Sequence, residues 1–148
     1  HQNVMGEQAY FDRLIPQIHE YEMTGHWTFL GNLSPVQLAA LYPNIDVLTV
    51  PSLNSTEAFG LVQIEAMING APSVPSALPG VRRPVQMHGM GVVSEIGNAE
   101  SLAASILEVL DHPQKYRSDV GGIKKAYEPD SVAQEYEKLF ERLMEKGR

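Results

Sequence analysis

At 148 residues the chain suits one domain of ordinary size, long enough to bury roughly 68–70% of its unfolded surface without covalent staples. Acidic residues outnumber basic ones by 18 to 11, a formal charge of -7 with no basic stripe to offset it, which excludes nucleic acid and anionic membrane surfaces as general partners. The absence of cysteine excludes disulfides, zinc–thiolate sites and thiol catalysis.

Helical spacing of Tyr10, Phe11, Leu14, Ile15 and Ile18 predicts a helix over 6–21, with a kink or break near Leu14–Ile15 because Pro16 falls inside it. "HWTFLG", His26 to Gly31, is a β-branched and aromatic run that predicts a strand, with Trp27 in the core. Ser34-Pro35 starts a helix that Pro43 stops. "DVLTV", Asp46 to Val50, is almost unbroken in its apolar character and predicts a parallel strand buried on both faces.

A helix is expected from about Phe59 to Asn69, ended by Gly70 in a left-handed conformation. "APSVPS" reads as a short strand, "ALPGVRRPV" as a loop, and "MGVVSE", Met90 to Glu95, as another strand. Asn98 caps an amphipathic helix with Leu102, Ile106, Val109 and Leu110 on one face; Asp111-His112-Pro113 breaks it, and a further helix leads to Lys125. The last helix starts near Asp130-Ser131 and carries Val132, Tyr136, Leu139, Phe140 and Leu143 in one stripe. Short strands alternating with helices require crossover connections, so the expected fold is α/β, a doubly wound, Rossmann-like parallel sheet flanked by helices. Ligands in such sheets sit at the carboxyl ends of the strands. No run is long enough to span a membrane and no signal peptide is seen, which makes a cytoplasmic protein the expectation. The chain starts without Met, so a piece of something longer is expected.

Within "TEAFGLVQIEAMINGAP" two glutamates, Glu57 and Glu65, are separated by seven residues. A plain reading makes Glu57 a complement to the positive end of a helix and Glu65 an exposed helix residue. A functional reading starts from the apolar neighbours Ile64, Ala66 and Met67, among which a buried carboxylate needs a partner. If both glutamates shared one helix, about 100° per residue would bring them within roughly 80° of each other, able to address one ligand. The loop before the helix is built of small residues, and the helix start behind it suits an anion. A ligand with an anionic group and several hydroxyls, such as a nucleotide-sugar, has both features. The residues alone leave the two readings open.

"STEAFGLVQIEAMINGAPSVPSALPG" resembles the signature of retaining glycosyltransferases of the GT-B fold, family-four type, in their C-terminal donor-binding domain. "GNLSPVQLAALYPNIDVLTVPS" and "GMGVVSEIGNAESLAASILEVLDHPQ" are similar to the segments on either side, so the likeness runs from about Trp27 to Met144. The resemblance implies that Glu57 meets the donor sugar near the reacting carbon. Phe59, Gly60 and Leu61 would offer backbone amides to sugar and diphosphate, and Glu65 would hold the ribose hydroxyls. It implies a nucleotide-diphosphate sugar as substrate, no metal, no other cofactor, and front-face attack with retention.

The family's opening strand with its Arg and Lys clamp has no counterpart here, nor has the N-terminal acceptor-binding domain. The chain therefore reads as an incomplete C-terminal half, missing its first strand or strands and inactive alone. "LPGVRRPV" departs from the family's Gly-Gly-x-Pro-Glu-like loop. Its Arg82-Arg83 pair is a solvated turn or else a contact with phosphate or with the missing domain. A non-catalytic nucleotide-sugar-binding or interaction module of the same half-fold is the alternative function.

His1, His19, His26, His88 and His112 show no metal-ligand spacing, and His88 reads as a loop residue in "MHGMG". Ser73 and Ser76 lack a nucleophile elbow. Neither a dinucleotide fingerprint nor a Walker A sequence is present. The C-terminal helix is expected to pack on its own domain or to reach toward the missing half.

Overall fold

The computed structural model describes residues 8–146, and the chain divides after Ala40 into two units. His1, and Gly6 and Glu7 of the first expected helix, lie outside the described residues. Helix α1 (Gln8–Glu20) runs through Pro16, so the expected break does not occur. Proline removes one ladder bond, and the turns on either side hold; Tyr21 N still donates to Gln17 O at 3.0 Å. A 3-10 turn follows at Met23–Gly25.

The expected strand His26–Gly31 is not one: these residues carry no ladder. A strand needs a neighbour for its backbone groups, and its aromatics are engaged differently. Phe29 packs on Phe11 with ring centroids 4.8 Å apart and on Trp27 at 5.8 Å. Trp27 itself is 47% exposed, not core. Ser34 and Gln37 form a capping box ahead of α2 (Pro35–Leu41): Gln37 N donates to Ser34 Oγ at 3.3 Å, and Ser34 N to Gln37 Oε1 at 2.9 Å.

In the second unit a 3-10 turn, Tyr42–Asn44, leads to strand β1 (Leu48–Val50). Strand β2 (Ser73–Pro75) pairs with it in parallel, in register Leu48↔Ser73, Thr49↔Val74, Val50↔Pro75. A third segment joins β2 through the parallel bridges Ser73↔Gly91 and Ser76↔Ser94. Gly91, at φ +139°, lies so close to Ser73 O that a Cβ there would sit 1.8 Å away, so the bridge requires glycine. β1 is the edge, so Thr49 is exposed and Leu48 and Val50 half-buried, which corrects the expectation of burial on both faces.

Side chains along β2 alternate. Ser73 bonds to Gln63 of helix α3 (Leu61–Met67), while Val74 enters a core with Val109 of α5 (Ala99–Asp111) and Tyr116. The core on the α3 side joins Ile64, Met67, Val85, Met90 and Ile123, drawn also from α4 (Arg83–His88) and α6 (Val120–Ala126). Helices thus cover both faces of a parallel sheet, the doubly wound α/β arrangement. α4 replaces the second half of the expected loop, with Pro84 in its first turn.

Helix α3 closes as expected at Gly70, φ +89°, in a Schellman motif: Gly70 N donates to Met67 O and Ala71 N to Ala66 O, each at 3.0 Å. Asn98 caps α5, its side chain accepting from Ser101 N at 3.0 Å. Asn98→Ala should lower stability by about 1 kcal/mol, read as a fall of roughly 2–4 °C in Tm; an unchanged melting curve would deny the cap any weight. On α5, Leu110 is 43% exposed and so lies off the buried stripe. In α7 (Pro129–Lys146) Tyr136, Phe140 and Leu143 are all 57–58% exposed, so packing on its own domain, one of the two expected dispositions, leaves these three uncovered.

Candidate functional site

The loops leaving the carboxyl ends of β1 and β2 carry the candidate residues. After β1, Asn54 Oδ1 accepts from Thr56 N and from Thr56 Oγ1, tightening the turn before Glu57. Glu57 Oε1 then accepts from Gly60 N at 2.9 Å. Gly60 is buried with φ +74°, and a Cβ there would lie 2.7 Å from Gln63 Nε2, so two constraints favour glycine. This left-handed residue delays the helix to Leu61 instead of Phe59. Glu57 and Glu65 therefore do not share a helix: one carboxylate folds back over the entrance to α3, and the other stands on its second turn. The amide of Gly60 is engaged by Glu57, whereas Phe59 and Leu61 lie at the helix start, where amides have no intrahelical partner.

Glu65 is exposed, as the plain reading has it, and is not buried among its apolar neighbours. Gln63, Ile64, Ala66 and Met67 take the inner face, which leaves Leu61 and Glu65, four residues apart, on the outer one. Tyr42, only 5% exposed, reaches across to donate its hydroxyl to Glu65 Oε2 at 2.8 Å. Burial first, and then the bond to Glu65 and its charge, push the Tyr42 hydroxyl up to about 12, so it stays a donor well into the alkaline range.

The loop after β2 lies against the first one. Gly80 approaches the backbone of Ala58 so closely that a Cβ would sit 1.7 Å from Ala58 O. Gln63 ties the parts together: fully buried, it donates from Nε2 to Val81 O at 2.8 Å and accepts at Oε1 from Ser73 Oγ at 3.1 Å. Sequence reasoning missed Gln63 and Tyr42; the signal for the first is an amide flanked by Val62 and Ile64 on an apolar helix.

Arg82 and Arg83 part company. Arg83 is exposed at the start of α4. Arg82 is half-buried, donates from Nη1 to Ala77 O at 3.3 Å, and holds a buried Nε with no partner among the described residues. The plain solvated turn thus describes Arg83 and not Arg82.

A hollow of about 180 Å³ opens at the same rim, lined by Pro51, Leu53, Ser76, Ser94, Glu95 and Asn98 among others. None of Glu57, Phe59, Gly60, Leu61, Glu65, Arg82 and Arg83 lines it. Ser76 Oγ donates to Ser52 O and Ser73 Oγ to Gln63, so neither serine is poised as a nucleophile. His88 ends α4 and pairs Nε2 with the Tyr127 hydroxyl at 3.2 Å; burial holds its pKa below the usual histidine range. Among the described residues no group of three or more His, Asp or Glu side chains is arranged to hold a metal ion. Nor is any helix among them long and apolar enough to cross a membrane.

The family profile described as "Glycosyl transferases group 1" matches residues 3–126. The chain belongs to the group 1 glycosyl transferases. It is 34% identical over 110 residues to glycogen synthase of Mycobacterium tuberculosis (strain ATCC 25618 / H37Rv), covering 74% of this chain and 26% of that protein. To the phosphatidyl-myo-inositol mannosyltransferase of Mycolicibacterium smegmatis it is 31% identical over 93 residues, 63% of this chain and 24% of that one. This group 1 chain thus spans about a quarter of the length of these relatives.

Among solved structures, sucrose-phosphate synthase from Thermosynechococcus elongatus superposes with a TM-score of 0.77 at 26% identity, covering 98% of this chain and 37% of that one. HepE from Anabaena, in complex with UDP and glucose, superposes with a TM-score of 0.71 at 25% identity, covering 93% of this chain and 39% of that one. The GT-B relationship and the α/β half-fold expected from the sequence are both borne out.

Proposed function

We propose that this chain is the C-terminal, donor-binding domain of a cytoplasmic retaining glycosyltransferase, taking a nucleotide-diphosphate sugar without a metal. The observation that carries the reading is the left-handed turn at Gly60. It puts the Glu57 carboxylate at the mouth of α3 while Glu65 stands on the outer face of the same helix. Glu57 would meet the sugar near the reacting carbon. The amides of Phe59 and Leu61 would face sugar and diphosphate, with the backbone at Gly60 shaping their approach. Glu65 would accept from the ribose hydroxyls, and Arg82 or Arg83 would meet phosphate or a second domain. HepE, solved with UDP and with UDP-glucose, supports this ligand class. Acceptor binding falls to the part of the relatives' length that this chain does not span, so the chain alone would bind donor without transferring sugar.

Calorimetric titration of the chain with uridine, guanosine and adenosine diphosphates tests the reading. One of the three should bind saturably. Glu65→Ala should weaken it about 10-fold or more, because a hydrogen bond to a charged group contributes roughly 1.5–3 kcal/mol. Failure of all three to bind would overturn the proposal.

A further inference from the structure

We propose that Tyr42 is a positioning residue for nucleotide recognition: its hydroxyl fixes the Glu65 carboxylate so that the remaining oxygen faces the ribose hydroxyls. The inference rests on the reading of Glu65 given above. Glu65 is exposed on α3, and a free glutamate there samples many rotamers, each of which ordering must exclude on binding. Tyr42 removes that freedom from 23 positions earlier in the chain.

The tyrosine is itself well held. It is 5% exposed and starts the 3-10 turn that contains Pro43, with Ile45 N donating back to Tyr42 O at 3.4 Å. A second tether comes from the helix end, where Asn69 Nδ2 donates to Glu65 O at 2.8 Å and so holds the backbone beneath the side chain. In the Tyr42–Glu65 bond the phenol donates and the carboxylate accepts. Oε2 is committed to the phenol at 2.8 Å, and Oε1 is left to accept from a ligand hydroxyl. A buried donor thus orients an exposed acceptor, an arrangement that makes sense for a group that must meet a diol in one geometry.

The test uses the tightest binder among uridine, guanosine and adenosine diphosphates together with its 2′,3′-dideoxy analogue. Tyr42→Phe keeps the ring in its pocket and removes only the donor. It should raise Kd for the ribonucleotide about 3- to 10-fold and leave Kd for the dideoxy analogue unchanged. An unchanged Kd for the ribonucleotide, or an equal rise for both ligands, would overturn the inference, since a merely structural role cannot sense the ribose hydroxyls. Glu65→Ala separates this from the parent reading. If the wild-type chain does not discriminate between the two nucleotides, or binds neither, the ribose role of Glu65 fails and this inference with it. If Glu65→Ala abolishes discrimination and Tyr42→Phe leaves it intact, only the inference about Tyr42 falls.

Discussion

Replacing Glu57 by glutamine should cut turnover about 10²- to 10³-fold in a catalytically competent protein that carries this chain, while Tm moves by no more than about 3 °C. The two halves of that expectation come from one bond. Glu57 Oε1 accepts from Gly60 N at 2.9 Å, and the carbonyl oxygen of glutamine can accept the same bond, so the turn into α3 survives. What is lost is the charge. In the proposed role the carboxylate sits beside the sugar carbon as its bond to the leaving diphosphate breaks, where negative charge stabilises the transition state more than the ground state. The loss should therefore appear in kcat more than in KM. Turnover within threefold of wild type would remove Glu57 from the reaction. A collapsed Tm with lost turnover would reassign it to the cap alone.

Gly80→Ala should lower stability by about 2–3 kcal/mol and Tm by roughly 6–10 °C. The new methyl would have to occupy space 1.7 Å from Ala58 O and 2.8 Å from Ala58 C, and both obstacles are backbone. Relief requires one loop to move off the other. Val81 on one side is anchored through its carbonyl to Gln63, and Ala58 on the other sits between Glu57 and Phe59. Nucleoside diphosphate affinity should consequently fall together with Tm. Gly25→Ala is the matched control, since nothing lies within 4 Å of its Cβ position, and its effect should stay within about 0.5 kcal/mol. Indistinguishable melting of the Gly80 and Gly25 variants would mean that the two loops do not touch as described.

Local chemistry made much of this fold readable. Ser34, Asn98 and Gly70 act on backbone groups within a few residues, and each does what its position implied. The short strands around Thr49 and Val74 were legible for a similar reason, because strand and helix alternate so tightly that only parallel pairing fits. His26–Gly31 misled because β propensity describes a residue's fit to a sheet and cannot supply the neighbour. Thr49 misled in the opposite sense: apolar flanks spoke for burial, yet β1 is an edge.

The site divides along the same line. The spacing of Glu57 and Glu65 marks the segment, and of the two readings open for Glu65 the exposed helix residue is the one found. A seven-residue helix with its inner face filled by Gln63, Ile64, Ala66 and Met67 still has an outer one. Tyr42 is invisible because its role depends on a partner far along the chain, Glu65; Gln63 is marked by its apolar neighbours, but its partner Val81 is as remote. α4 was hidden by Pro84, which suggested a loop where it opens a helix.

Parallel pairing also sets the order in which the molecule can come together. Leu48 meets Ser73 only after some 25 residues have been looped out, and Ser73 meets Gly91 only after about 18 more. No hairpin can seed either contact, so chain-closure entropy is lost before any ladder bond forms, as in slow folders of high contact order. The turns of α5 draw only on near neighbours in sequence, whereas the rim depends on distant ones. The segments that bear Glu57 and Gly80 become neighbours when the strands beneath them register, and a chain caught short of that step has helices but no place for a ligand.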